Sequence, residues 1–130
     1  MIQICYISTA RPHVGWDTVE EILRTSRRNN ARARVTGLLL FNGKRFLQLL
    51  EGAADPVEET FARIQKDDRH FAVVKLSERT IAEREFGGWD MAFERFPADR
   101  TRDAVGAKVS ELTAAASPSV RALFTSYAAI

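Results

Sequence analysis

The sequence predicts one α/β domain in which a β-sheet packs against helices. The chain has 130 residues, 45% of them hydrophobic, which suffices for one compact core and is too short for two ordinary domains. Segments in which apolar residues alternate are interleaved with segments of helical periodicity. Between two apolar runs stands Asn42-Gly43, a strong hairpin signal.

The first strand is predicted over residues 2–8, where Tyr6 and Ser8 project from the same face. Asp17, followed three residues later by Glu20, forms a capping-box signature and predicts the start of the first helix. Asn30 lies about three helical turns after Val19, the first residue of that helix's inward face, and so points toward the core. Alternatively, Asn30 caps the end of the helix. The other residues predicted on this face are Val19, Ile22, Leu23 and Ser26.

The hairpin is predicted as strands 35–41 and 45–50. In the second of these strands, Gln48 shares its face with Phe46 and Leu50. A buried amide without hydrogen-bond partners costs about 1–3 kcal/mol. The position of Gln48 therefore requires polar partners on that face.

A second helix is predicted from Asp55 as N-cap and Pro56 as first helical residue to about Lys66. A fourth strand follows around residues 73–76, and a fifth over residues 89–96. In the fifth strand Trp89 and Met91 share a face.

The order β-α-β-β-α-β-β is the ferredoxin-like split βαβ arrangement with one strand added. It predicts two helices on one face of a mixed five-stranded sheet, with the first and third strands adjacent and parallel at its centre. Tyr6 and Gln48 would then be neighbours, near Ser8 and Asn30. Such a polar group is costly inside a core unless a polar ligand joins it.

Residues 97–130 show two short amphipathic stripes separated by an alanine-rich break. We expect two short helices that cover the free face of the sheet, where Leu47 and Leu49 point. Leu123, Phe124 and Tyr127 are candidates for an oligomer interface, although packing on their own sheet is the favoured use.

Composition excludes several classes of protein. The formal net charge of +2 comes from 19 basic and 17 acidic residues and argues against a nucleic-acid binder. Cys5 is the single cysteine, so an intramolecular disulfide is impossible and a reducing cytoplasm is expected. No signal peptide is evident, and no apolar run approaches the roughly 20 residues that span a bilayer.

Motifs for hydrolysis, nucleotide binding and metal binding are missing from the sequence. There is no G-x-S-x-G, P-loop, H-E-x-x-H or cysteine pair. His13 and His70 have no evident ligand spacing. We therefore expect neither a metal site nor a conventional enzyme site.

Five motifs resemble those of the BLUF domain, a blue-light sensor that uses flavin. They are Y-x-S in the first strand, NNARARVTGLLL, FLQLLEG, IQKDDRH and FGGWDMAF, in the family's order and spacing over residues 2–94. The resemblance implies a ferredoxin-like fold that holds one flavin, FAD or alternatively FMN, between its two helices. It places the sensor domain in residues 1–96 and a helical extension in residues 97–130.

The resemblance also implies roles for individual residues. Tyr6 would donate an electron and a proton under light, Gln48 would be the switching amide, and Asn30 would hold the flavin carbonyl edge. Ser8 would lie near the switch, and Trp89 and Met91 would exchange contacts with Gln48. The remaining residues implied at the flavin are Ile22, Leu23, Asp67, Arg69 and His70.

The sequence therefore predicts a cytoplasmic photoreceptor, not an enzyme, that signals to a separate protein partner and forms a homo-oligomer, most simply a dimer. Each residue also has a structural explanation, since a strand tyrosine, a Trp or a Met is commonly a packing residue. Two alternatives stay open. One is a ferredoxin-like protein-interaction or small-ligand regulatory domain without photochemistry, and the other is a flavin-dependent redox enzyme, for which no NAD(P)H motif is found.

Overall fold

The computed structural model describes residues 1–87, 92–95 and 102–128. Trp89 and Met91 lie outside the described residues. The elements are β1 (Ile2–Ala10), α1 (Trp16–Ala33), β2 (Thr36–Phe41), β3 (Arg45–Gly52), α2 (Ala54–Gln65), β4 (His70–Thr80), β5 (Ala92–Arg95), α3 (Arg102–Leu112) and α4 (Pro118–Ala128).

The strands form one sheet in the order β4-β1-β3-β2-β5. The predicted ferredoxin-like α/β arrangement is confirmed, with β1 and β3 adjacent. The predicted parallel pairing of β1 and β3 is wrong, because the two strands run antiparallel. The reason is that α1 returns the chain so that β2 runs in the direction of β1, and the tight hairpin then reverses β3 between them. β5 joins the far side of β2 in parallel.

Two apolar cores lie on the two faces of the sheet. The first lies under α1 and α2, as predicted, and contains Ile4, Tyr6, Val19, Leu23, Leu39, Phe46, Leu50, Val57 and Phe61 among others. The second lies under α3 and α4, which confirms that the C-terminal helices cover the opposite face. It contains Cys5, Leu38, Leu40, Leu47, Leu49, Phe86, Val109, Val120, Phe124 and Tyr127, with Leu123 packed against it.

Both predicted helix starts are displaced. Gly15 is the N-cap of α1 and Ala53 that of α2, so Asp17 and Asp55 lie inside the first turns. At these positions each carboxylate is stabilised by the positive end of the helix dipole. No side-chain hydrogen bond caps either helix at its N-cap residue. The first helix ends at Ala33, and Arg34, with a φ of 55°, is its left-handed C-cap. Asn30 is therefore a residue of the last turn and not the end of the helix.

The hairpin turn is built as its sequence predicts. Asn42 Oδ1 accepts hydrogen bonds from the backbone N–H of Lys44 at 3.0 Å and of Arg45 at 2.8 Å. Gly43 has a φ of 90°, a conformation that glycine adopts without strain. This turn fixes the register in which β2 and β3 pair.

Within the described ranges, no helix has the length and apolarity needed to cross a membrane. Among the same residues, no group of three or more His, Cys, Asp or Glu side chains is arranged to hold a metal ion.

Candidate functional site

Tyr6 and Gln48 meet on the helix-covered face of the sheet. They are directly opposed in the β1–β3 register. The Tyr6 hydroxyl donates a hydrogen bond to Gln48 Oε1 at 2.5 Å, and each residue is 3% exposed. Because a phenol hydrogen needs an acceptor, this bond sets the amide with its oxygen toward Tyr6 and its nitrogen away from it.

The surroundings of Tyr6 keep its phenol neutral. Its ring packs against Phe61, with centroids 5.4 Å apart, and edge-on against His70 at 6.4 Å. Burial in this aromatic and aliphatic environment is the largest cause that raises the pKa of the Tyr6 hydroxyl well above its usual range. Tyr6 therefore holds its proton and can act as a hydrogen-bond donor over the whole ordinary pH range.

Asn30 points from the last turn of α1 into the same region. It is 2% exposed, and its Nδ2 is buried without a hydrogen-bond partner among the described residues. Leaving a buried amide donor unpaired costs about 1–3 kcal/mol. Asn30 is therefore arranged to donate to an acceptor that the described part of the chain does not supply.

These residues line a cleft between the sheet and helices α1 and α2, with a volume of about 820 Å³ including its open mouth. The lining residues are Tyr6, Ile22, Thr25, Ser26, Asn29, Asn30, Leu39, Phe46, Gln48, Thr60, Arg63, Ile64, Asp67, Arg69 and His70.

His70 connects the cleft wall to β1 and to the end of α2. Its Nε2 lies 2.6 Å from the Ile64 carbonyl oxygen, which can only accept, so Nε2 carries a hydrogen. Its Nδ1 lies 2.7 Å from the Ser8 hydroxyl. In the neutral ring Ser8 donates to Nδ1, which fixes the tautomer. Both polar atoms of His70 are therefore engaged inside the protein, and the ring presents carbon atoms to Tyr6 and Phe46.

The mouth of the cleft carries an ion pair. Arg69 Nη2 lies 2.6 Å from Asp67 Oδ2, and both side chains are partly exposed. The hydrogen bond from Arg69 is the largest cause that lowers the pKa of Asp67, and the same bond raises the pKa of Arg69. The two groups thus stay charged together and present polar atoms at the entrance.

Residues 1–92 match the BLUF family, described as sensors of blue light using FAD. The chain belongs to the BLUF family. The members of this family are described as flavin-based sensors of blue light. The predicted sensor of blue light agrees with the family description.

Curated relatives include the blue light- and temperature-regulated antirepressor BluF of Escherichia coli (strain K12), 41% identical over 69 residues. That match covers 53% of this BLUF chain and 17% of the antirepressor. The photoactivated adenylate cyclase subunit beta of Euglena longa is 35% identical over 83 residues, or 64% of this chain and 10% of that protein. The chain thus spans a small part of the length of these relatives.

Solved structures of other proteins have the same fold. The dark-state structure of the BLUF protein BlrB has a TM-score of 0.75 at 28% identity and covers 98% of this chain and 95% of that one. A structure of Klebsiella pneumoniae BlrP1 with FMN and cyclic diGMP has a TM-score of 0.83 at 27% identity, covering 98% of this chain and 34% of that one.

The cleft of this BLUF protein fits a flavin. A flavin ring offers carbonyl oxygens as hydrogen-bond acceptors. Such an acceptor would satisfy the buried Nδ2 of Asn30, which has no partner among the described residues. Tyr6 and Gln48 add polar groups at the sheet, while Ile22 and Leu39 supply apolar walls for the flat ring. The donor set and the apolar surfaces match a planar heterocycle with polar edges.

The BLUF structure brings together most of the residues that the resemblance implied. Those that line the cleft are Tyr6, Ile22, Asn30, Gln48, Asp67, Arg69 and His70. Ser8 reaches the site through its hydrogen bond to His70. Leu23 lies in the first apolar core, where it is 6% exposed. The roles implied for Trp89 and Met91 fall outside the described residues.

Several lining residues did not emerge from the sequence. Helical spacing could have found some of them, since Thr60, Arg63 and Ile64 share a face of α2 at intervals of three and four residues. Leu39 could be found only from the strand register, which pairs it with Gln48. Neither residue type nor local pattern separates Leu39 from an ordinary core residue of a strand.

Proposed function

We propose that light-driven electron and proton transfer from Tyr6 through Gln48 rearranges the hydrogen bonds at the cleft of this BLUF protein. The observation that carries the proposal is the buried hydrogen bond from the Tyr6 hydroxyl to Gln48 Oε1 at 2.5 Å. A bound flavin supplies the blue-light absorption and the excited-state oxidising power. The residues of the chain supply the proton path and the element that switches.

Tyr6 is the donor in this proposal. Its phenol is neutral because burial raises its pKa, so an electron leaves Tyr6 together with its proton. The nearest acceptor for that proton is Gln48 Oε1. Return of the electron and the proton to Tyr6 restores the neutral phenol and leaves a changed hydrogen-bonding arrangement at Gln48.

Gln48 is the switch in this proposal. A primary amide has one acceptor end and one donor end of similar size, so rotation or tautomerisation exchanges the two with little change in volume. An ionised glutamate has two acceptor ends and could not do this, and leucine could not do it at all. Since Gln48 lies on the central strand β3, a change there acts on the middle of the sheet.

Asn30 binds the flavin by donating from Nδ2 to a ring carbonyl, and Ile22 contacts the ring. FAD is the proposed flavin, in agreement with the family description. The flavin released by denaturing the protein purified from cells, identified by mass spectrometry, distinguishes FAD from FMN. Asp67, Arg69 and Arg63 lie at the mouth of the cleft and are the proposed contacts for the polar chain of the flavin.

The output of the sensor is proposed to pass from residues 1–96 through the helical extension 97–130 to a separate protein partner in the cytoplasm, with the chain as a homodimer. The named relatives support a protein output, since one is an antirepressor and another a cyclase subunit. Light scattering of the flavin-loaded protein in the dark and under light tests the dimer.

The absorption spectrum before and after blue light tests the proposed function. A yellow protein whose flavin band moves to longer wavelength under light and returns in the dark supports it. A colourless protein, even after FAD is added, would favour a regulatory domain without photochemistry. Bleaching that depends on an added substrate would favour a redox enzyme.

A further inference from the structure

A row of polar side chains crosses the sheet on the face that α3 and α4 cover. Strand register places Arg79 of β4 opposite Gln3 of β1, Gln3 opposite Glu51 of β3, and Glu51 opposite Thr36 of β2. Arg79 Nε donates to Gln3 Oε1 at 2.9 Å, and Gln3 Nε2 donates to Glu51 Oε2 at 3.1 Å. The row is therefore continuous across four strands.

Glu51 is the centre of this row and is 0% exposed. Besides the bond from Gln3, its Oε1 accepts from the Thr36 hydroxyl at 3.0 Å. Two backbone N–H groups also donate to it, Glu85 to Oε2 at 3.0 Å and Phe86 to Oε1 at 2.6 Å. Because a carboxylate buried without such partners would be very costly, these donors hold the segment that contains them against β3.

The side chain of Arg84 also binds this segment to the sheet. Its guanidinium donates to the Thr36 hydroxyl at 3.0 Å, to the Glu51 carbonyl at 3.1 Å and to the carbonyl of Arg34, the C-cap of α1, at 2.7 Å. Three consecutive residues, Arg84, Glu85 and Phe86, are thus bound to the end of β3 and its neighbours.

The side chain of Glu85 extends the row to α4. It forms an ion pair with Arg79, accepts from Gln3 Nε2 at 3.3 Å and accepts from the backbone N–H of Ser117 at 3.1 Å and 3.2 Å. Ser117 directly precedes α4 (Pro118–Ala128). A carboxylate at this end of a helix is favoured by the helix dipole.

The other end of α4 is also tied to the sheet. The Tyr127 hydroxyl donates to the Arg45 carbonyl at the start of β3, at 2.7 Å. The C-terminal end of α4 therefore contacts the start of β3 directly, through Tyr127. Its N-terminal end contacts the end of β3 indirectly, through Glu85 and Glu51. Gln48 lies on β3 between these two ends and points to the opposite face.

We propose that Glu51 is a positioning residue that couples the switch on β3 to α4 through the Arg84–Glu85–Phe86 segment. A displacement of β3 at Gln48 changes the geometry of the hydrogen bonds converging on Glu51, the segment moves with them, and the Glu85 contact to Ser117 tightens or opens. This inference rests on the proposed function, because it takes the change at Gln48 as its input.

The test compares the full-length, flavin-loaded wild type with Glu51→Gln and with Glu83→Gln, an exposed glutamate in the same loop. The amide introduced by Glu51→Gln would place donor hydrogens against donors that now face a carboxylate. Two quantities are measured in each sample, the light-induced absorption shift and the light-minus-dark hydrogen exchange of amides in the first turns of α4.

In wild type and Glu83→Gln, light is expected to change α4 exchange by about three- to tenfold, as one net hydrogen bond does for an opening equilibrium. In Glu51→Gln the absorption shift is expected to persist while this α4 difference disappears. A merely structural Glu51 would lower the melting temperature in dark and light alike and leave the α4 difference in place.

The proposal is overturned if α4 still responds to light in Glu51→Gln, or if wild-type α4 does not respond although the absorption shift occurs. If Glu51→Gln does not fold, Glu85→Ala removes the contact to Ser117 while leaving the four donors to Glu51, and the same loss of α4 response is expected. Absence of the absorption shift in wild type would instead contradict the proposed function, so the two failures are distinguishable.

Discussion

The Tyr6 hydroxyl donates to Gln48 Oε1 at 2.5 Å from a directly opposed position on the neighbouring strand. This contact depends on strand register, because a slip of one residue would turn Gln48 to the other face of the sheet. Thus the hairpin turn at Asn42-Gly43, which fixes the register of β3 against β2, also helps to bring Tyr6 and Gln48 together.

Tyr6→Phe is expected to retain flavin and to abolish the light-induced absorption shift, because the donor of the electron and proton is removed. Absorption spectra in the dark and under blue light check this. Tyr127→Phe is the matched control, since it removes the other tyrosine hydroxyl, which donates to the Arg45 carbonyl on the opposite face. A full shift in Tyr6→Phe would contradict the role of Tyr6.

Gln48→Leu is expected to bind flavin and to show no light-induced absorption shift. Leucine has no acceptor for the Tyr6 proton and no donor and acceptor ends to exchange. Gln65→Leu, at the exposed last residue of α2, is the control for the same chemical change. Retention of the full shift in Gln48→Leu would refute the assignment of the switch to this residue.

Asn30→Leu is expected to weaken flavin binding and to leave the flavin-free protein as stable as wild type, or more stable by about 1 kcal/mol, because a buried unpaired donor is replaced by carbon. We expect flavin affinity to fall by about tenfold or more, the equivalent of about 1.4 kcal/mol. Fluorescence titration with FAD and denaturant unfolding measure the two effects. Wild-type affinity in Asn30→Leu would exclude a contact between flavin and this amide.

Folding stability is expected to decline at alkaline pH. Burial raises the pKa of both tyrosines, Tyr6 and Tyr127, and raises the pKa of Cys5 to about 12. In the unfolded chain these groups lose their protons from about pH 8.5 for the thiol and about pH 10 for the phenols. The folded state binds these protons more tightly than the unfolded chain does. The contribution of the three groups to stability is therefore constant below their unfolded-state pKa values and falls as pH rises above those values.

Tyrosinate absorbance during a pH titration checks this alkaline behaviour. It should rise together with the loss of folded structure, measured by circular dichroism, and not near pH 10 in a still folded protein. Independent ionisation of either tyrosine in the folded protein would contradict its burial.

Gly52→Ala is expected to destabilise the protein by about 1–3 kcal/mol. Gly52 has a φ of 155°, and an added Cβ would lie 2.8 Å from the Arg34 carbonyl oxygen and 3.4 Å from Arg84 Nη1. Gly106→Ala in α3 is the opposing control, because a Cβ there meets nothing within 4 Å and alanine favours a helix by about 0.5–1 kcal/mol. Thermal unfolding of both variants gives the comparison, and equal effects would contradict the steric argument.

Sequence pattern was sufficient for the order of the elements and for the face on which Tyr6 and Gln48 lie, because alternation in strands and periodicity in helices are local properties. It failed on the relative direction of β1 and β3, which depends on how a crossover and a hairpin combine. It also misplaced the N-caps of α1 and α2, where Gly15 and Ala53 offer no side-chain signal.

The sequence could not reveal which groups donate hydrogen bonds to the Glu51 carboxylate. Its donors come from β1, β2 and the segment after β4, up to 48 residues distant in the chain for Gln3. From the sequence alone Glu51 is a charged residue at the end of an apolar strand, a position that is commonly exposed. Its burial follows from tertiary packing and is visible only in the fold.

The alternation of β3 has a consequence for how this protein can diversify. Phe46, Gln48 and Leu50 belong to the side of α1 and α2, whereas Leu47, Leu49 and Glu51 belong to the side of α3 and α4. Interleaved positions of one strand are thus exposed to separate selective constraints. On the proposed function, substitutions at the odd-numbered positions would change the contact with α3 and α4 while the even-numbered positions preserve the response to light.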